Sequence, residues 1–142
     1  MQVKKFTNSI LSSNSYVIFT EEERHTWLVD PGDSHQILNW LVAHNKMVVG
    51  ILLTHYHIDH IYGVNDICEE YPSLKIYASE LSLVGLYSEK LNGSYYMEMP
   101  YVVDCKEIQI VKADSQIVLL NSEQKAIVIS TPGHNNDCIS YK

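Results

Sequence analysis

Three observations predict an α/β fold for this sequence. Val48–Leu53 is an unbroken apolar run of strand length, the pattern of a strand buried on both faces. Helical periodicity lies on either side of it, with Ile37, Leu38, Leu41 and Val42 before and Ile61, Val64, Ile67, Cys68 and Tyr71 after. Short segments rich in β-branched and aromatic residues, separated by turn residues, open and close the chain.

The elements follow in order. Val3–Thr7 and Ser15–Thr20 read as strands, Glu21–His25 as a polar turn, and Trp27–Asp30 as a third strand. Asp30-Pro31-Gly32-Asp33 stops that strand. Asp33 with Gln36 three residues on fits a capping box, so a helix is expected from Ser34 to about Asn45. Val48–Leu53 ends in Thr54-His55-Tyr56-His57-Ile58-Asp59-His60, and one helix should then run to Pro72, which cannot continue it. Leu74–Ala78 reads as a strand and Ser79–Leu86 as a short helix capped by Ser79. Ser88–Pro100, with Asn92-Gly93 and the patch Tyr95-Tyr96-Met97-Glu98-Met99, is a loop packed on the core or a flap over a substrate. Ile108–Val111, Ile117–Asn121 and Ala126–Ser130 should form an antiparallel meander. Thr131-Pro132-Gly133-His134 makes a turn, and Cys138–Tyr141 is the last strand.

A chain of 142 residues fits one domain. It has 46% hydrophobic and 19% charged residues, as expected of a globular protein with a real core. The net charge of −7, with only 10 Lys and Arg, argues against a nucleic-acid partner, which would need clustered cations. Neither a signal peptide nor a membrane-length apolar run is evident, so a cytoplasmic location without membrane contact is expected. Cys68, Cys105 and Cys138 are odd in number and widely spaced, which indicates neither a disulfide framework nor a Cys-x-x-Cys zinc site. Each is expected to be a buried thiol.

The chemistry lies in His55–His60. Of the 7 histidines, 3 fall in this segment together with Asp59, where a buried strand feeds a strand-to-helix loop. Imidazoles and a carboxylate are ligands for Zn²⁺, Mn²⁺ or Fe²⁺. Alternation puts His55 and His57 on one side of an extended segment, able to share one ion. Asp59 and His60, further along, can serve a second. A row of solvated loop histidines is the alternative, but packing this group after an apolar strand is costly without a partner ion.

His55-x-His57-x-Asp59-His60, followed by Gly63, resembles the signature of the metallo-β-lactamase superfamily. Asn14-Ser15-Tyr16, Leu28-Val29-Asp30-Pro31-Gly32 and Thr131-Pro132-Gly133-His134 resemble its other motifs in the right order. The pattern is most similar to glyoxalase II-type hydrolases. The resemblance implies a four-layer αββα sandwich. It implies a first metal site of His55, His57 and His134, and a second drawing on Asp59 and His60. Asp30 would steady the metal loop by hydrogen bonds. Position 60 is His where many true β-lactamases of the fold carry Arg, and position 57 is His where diiron flavoprotein relatives carry Glu. A hydrolase of a small ester, thioester or lactone is therefore expected, acting on a small-molecule substrate through a zinc-bound water that Asp59 orients or deprotonates.

The family pattern continues with a bridging Asp and a last His, whereas the 8 residues after His134 offer Asp137 and no His. His25, His35 and His44 match no ligand motif. Asp137 lies too close to His134 to be the bridging residue. The expectation is a single partial domain over residues 1–142, resembling about the first two thirds of a family domain and incomplete at its C-terminus. A homo-oligomer or a complementing C-terminal segment would cover the exposed strand edges. A non-catalytic metal-binding or assembly domain, or an inactive fragment of such a hydrolase, is the alternative function.

Overall fold

The structure, a computed structural model, describes residues 1–105, 107–121 and 123–142. Strands β1 (Gln2–Thr7), β2 (Asn14–Phe19) and β3 (His25–Val29) form an antiparallel meander. The sheet then continues in parallel through β4 (Met47–Leu52), β5 (Lys75–Ser79) and β6 (Ile108–Val111), in spatial order β1-β2-β3-β4-β5-β6. A second, antiparallel sheet holds β7 (Gln116–Val118), β8 (Lys125–Ser130) and β9 (Ile139–Tyr141).

Two cores separate these layers. One face of the first sheet, through Val17, Leu28 and Ile51, packs on helices. These are α1 (Ser34–Ala43, burying Ile37 and Leu41), α2 (Ile58–Ile61), α3 (Val64–Glu70, burying Val64 and Ile67) and α4 (Leu83–Leu86). The other face meets the second sheet, with Trp27, Leu52 and Val111 against Ile117, Ala126, Val128 and Ile139. The run Val48–Leu53 is therefore buried on both faces, Ile51 toward the helices and Leu52 toward the second sheet. Trp27 ties the sheets together. Its ring covers Gly50, where a Cβ would collide with it, and its indole N–H donates to the Leu119 carbonyl at 2.9 Å. The order is helices, sheet, sheet. On the far face of the second sheet, Val118, Ile127 and Ile129 are exposed.

Several local expectations are corrected. Ile108–Val111 does not join the meander: β6 pairs with β5 in parallel, Ile76 opposite Ile108, and only β7, β8 and β9 form the antiparallel set. The single helix expected after His60 is two, because the Gly63 amide donates to the Pro31 carbonyl at 3.1 Å instead of continuing the first. The capping box does not form. The Asp33 carboxylate accepts from the Ser9 amide and hydroxyl, both at 2.8 Å, and from the Tyr62 hydroxyl. Its own amide donates to Asn8, and Gln36 donates to the Thr7 carbonyl and the Asp33 carboxylate. Ser79 does cap as expected, accepting from the Ser82 amide. Cys68 and Cys105 are not thiols: they form a disulfide tying α3 to the segment before β6, with Cα atoms 6.7 Å apart, and only Cys138 is free. A separation of 37 residues hides this pairing from local reading.

The segment Ser88–Pro100 is a packed loop. Buried Asn92 and Ser94 pin it, the Asn92 carbonyl accepting from the Ile58 amide at 2.9 Å, while Leu91, Tyr95, Tyr96 and Met99 face outward.

Gly63 packs so closely on the loop after β3 that a Cβ would collide with the Gly32 carbonyl oxygen. Backbone cannot yield as a side-chain tip does. Gly63→Ala should therefore lower unfolding free energy by about 1–3 kcal/mol, measured by urea denaturation. A change within about 0.5 kcal/mol, the ordinary surface range, would show that the loop gives way freely.

Candidate metal centre

The site forms where the parallel strands end. β3 delivers Asp30, whose backbone turns left-handed at φ 49°. Its buried carboxylate then faces the end of β4. One oxygen accepts from the Thr54 amide at 2.7 Å, the other from the Thr54 hydroxyl at 2.6 Å. The structural role expected of Asp30 is thus visible as hydrogen bonds to the residue preceding His55.

These bonds set the state of His55. The Thr54 hydroxyl has one hydrogen and gives it to Asp30, so toward His55 Nδ1, 3.0 Å away, it can only accept. Nδ1 then carries the ring proton, and Nε2 keeps a bare lone pair. That Nε2 is buried with no hydrogen-bond partner. Burial foremost, then the nearby positive charge of His60, pushes the His55 pKa down to about 4.

The other rings converge on it. The centroids of His55 and His57 lie 4.8 Å apart, those of His57 and His134 4.8 Å, and those of His55 and His134 5.3 Å. One nitrogen from each of these three lies within 4.8 Å of the others. His57 Nδ1 and His134 Nε2 are in hydrogen-bond contact at 2.9 Å. β9 carries the His134 loop into place: the Ile139 amide donates to the Thr54 carbonyl and the Tyr141 hydroxyl to the Leu53 carbonyl, each at 2.9 Å.

Asp59 and His60 are engaged with each other. His60 Nε2 lies 3.2 Å from Asp59 and Nδ1 3.0 Å from Asp30. Burial disfavours charge on His60, but the two carboxylates outweigh it and raise its pKa to about 9. Burial likewise pushes Asp59 upward, and its bond to His60 more than reverses this, holding it below the usual carboxylate value. Asp30, His55 and His60 form a second convergent group, to which Asp59 does not belong.

Sequence reading missed the supporting residues. Thr54 carries no motif signal beyond preceding His55. Asn135 reaches His57 at 3.5 Å. Asp137 is 2% exposed and accepts from the Tyr56 amide and the Ser82 hydroxyl. A borderline divalent cation fits this donor set: three imidazoles, one presenting a buried, unpartnered lone pair.

The pKa shifts predict opposed pH dependences in metal-free protein. His60, raised, contributes stability that is complete below its unfolded pKa of about 6.5 and is lost as pH rises through about 9. His55, depressed, contributes stability that is present above about 6.5 and is lost as pH falls through about 4. Melting of chelator-treated protein should therefore show alkaline and acid falls, and His60→Gln should remove the alkaline one. An alkaline fall unchanged in that variant would refute the His60 assignment.

Residues 9–142 match the family model of the metallo-beta-lactamase superfamily. The hydroxyacylglutathione hydrolase of Pseudoalteromonas translucida (strain TAC 125) is 30% identical over 132 residues, covering 91% of this chain and 42% of that protein. The chain thus spans less than half the length of this curated relative. The crystal structure of BLEG-1 B3 metallo-beta-lactamase superposes with a TM-score of 0.88 at 25% identity, over 99% of this chain and 66% of that one. That of TTHA1623 in a di-iron-bound form gives 0.77 at 22% identity, over 98% and 66%. No helix among the described residues is long and apolar enough to cross a membrane. With its layered sheets, its convergent histidines and a family match from residue 9 to the last, the chain belongs to the metallo-beta-lactamase superfamily.

Proposed function

We propose that this chain binds a Zn²⁺-class ion through His55, His57 and His134 and hydrolyses a small ester, thioester or lactone. The observation that carries the proposal is the buried, unpartnered Nε2 of His55 beside two further imidazoles. A divalent ion there would supply Lewis-acid polarisation of a carbonyl and lower a water's pKa from about 15.7 to about 7.

The protein's own groups do the rest. Asp30 and Thr54 fix the His55 tautomer, so that its lone pair is aimed before any ligand arrives. His60, charged between Asp30 and Asp59, offsets one of the two negative charges and anchors both carboxylates. Asp59, ionised, binds His60 through Oδ2, and its Oδ1 orients a water or takes up its proton. His134 is exposed, so the open side of the cluster is where a substrate carbonyl enters. The relative's name, hydroxyacylglutathione hydrolase, favours a thioester. Because both ring nitrogens of His60 are engaged, by Asp30 and by Asp59, one ion is held tightly and a second weakly. Mn²⁺ or Fe²⁺ suits the same donors.

Zinc titration by calorimetry should give one tight equivalent, and His57→Ala should lose most of that affinity. The loaded protein should hydrolyse activated thioesters, with turnover abolished by chelation and by His134→Ala. Folded protein that takes up no zinc would refute the metal reading. Tight zinc without turnover would refute the hydrolase reading and leave a metal-binding domain.

A further inference from the structure

We infer that Asp137 is a positioning residue: its carboxylate clamps the His134 loop to the backbone between His55 and His57 and so holds His134 in reach of that pair. The inference rests on the proposed three-histidine metal site.

His134 is exposed, and its ring contacts His57 Nδ1 at 2.9 Å, itself a member of the cluster rather than part of the scaffold behind it. The loop from Thr131 to Cys138 is closed at its base by the Thr131 amide donating to the Cys138 carbonyl at 3.0 Å. Within it, the Gly133 and Cys138 amides both reach the Asn135 carbonyl at a long 3.4 Å. Asp137 differs from its neighbours. It is 2% exposed in an otherwise open loop. Its Oδ2 accepts from the Tyr56 amide at 3.0 Å and from the Ser82 hydroxyl at 2.8 Å, and its carbonyl accepts from Ser79 Oγ at 2.9 Å. Tyr56 stands between His55 and His57 in sequence, so the first bond spans the two halves of the cluster directly. Tyr56 is itself immobilised, its ring packed over Gly85 where a Cβ would collide with it. The clamp therefore joins the His134 loop, the His55–His57 segment and the turn leading into α4. Burying a carboxylate is costly, and the cost is greater here because Oδ1 has no hydrogen-bond partner. A loop needing only a polar surface residue would not require it.

The test is zinc affinity in the full chain, by chelator competition, with direct calorimetry for weak variants and metal-free melting as the check on folding. Asp137→Ala should weaken zinc binding by about 10- to 100-fold, the range for groups that orient ligands. Asp137→Asn keeps an oxygen for the Tyr56 amide and should stay within about threefold of wild type. In a His134→Ala background, Asp137→Ala should have no further effect, because residues acting through one another are not additive. Asp137→Ser, too short to reach the amide, carries the comparison if the alanine variant does not fold. An unchanged affinity in Asp137→Ala, or an equal loss with and without His134, would overturn the inference while leaving the metal site standing. Wild-type protein that binds no zinc would overturn both.

Discussion

The buried carboxylate of Asp30 accepts hydrogen bonds from the Thr54 amide, the Thr54 hydroxyl and the His60 imidazole, and the order of the site descends from them. It joins the ends of two neighbouring parallel strands, β3 and β4, to the helix that follows. It also consumes the one hydrogen of the Thr54 hydroxyl, which forces the His55 proton onto Nδ1. A single carboxylate thus fixes where the loop sits and which nitrogen of its first histidine is bare. The left-handed backbone at Asp30 is part of the arrangement: a non-glycine residue at φ 49° is held there by the bonds its side chain makes.

The layers around it explain why this carboxylate can stay buried. β4 lies between β3 and β5 with a core on each face, so its end cannot drift. Gly63 brings the helices down onto the loop after β3, and its amide satisfies the Pro31 carbonyl there. Trp27 locks the second sheet, and through it β9, against the first. The His134 loop is then held at both ends, by β8 and by β9. Packing remote from the histidines therefore sets how far His134 stands from His55.

The parts of this arrangement that were legible in the sequence are those whose signal is local. The both-face burial of Val48–Leu53 is written in its composition, and His55, His57, Asp59 and His60 lie within one turn of chain. His134 was found through a motif resemblance, since its nearness to His57 is a contact across 77 residues. What was illegible was pairing. The alternation of Ile108–Val111 fits either sheet equally, and only the crossover from β5 decides. Asp33 has the right spacing for a cap, but Ser9 and Tyr62 compete for its oxygens and win. Cys68 and Cys105 meet because α3 and the segment before β6 cross the same end of the first core. Asp137 is set aside by its spacing from His134 as a bridging ligand, and its burial against Tyr56 has no sequence signature.

The histidines also differ in a way that bears on how such a centre assembles. His55 is 5% exposed and neutral, its tautomer fixed from behind by Thr54. His57 is half-buried, with burial and then His134 lowering its pKa. His134 is exposed on a loop. The cluster thus has a rigid floor, a wall and an open side, in that order along the chain. A cation entering from solvent would meet His134 and His57 first, whose rings lie in hydrogen-bond contact at 2.9 Å. It would reach the lone pair of His55 last, and the low pKa of His55 means that this lone pair is free of a proton at neutral pH. Ordering the deepest ligand in advance removes part of the entropic cost of capture, because only the exposed members have conformational freedom left to lose.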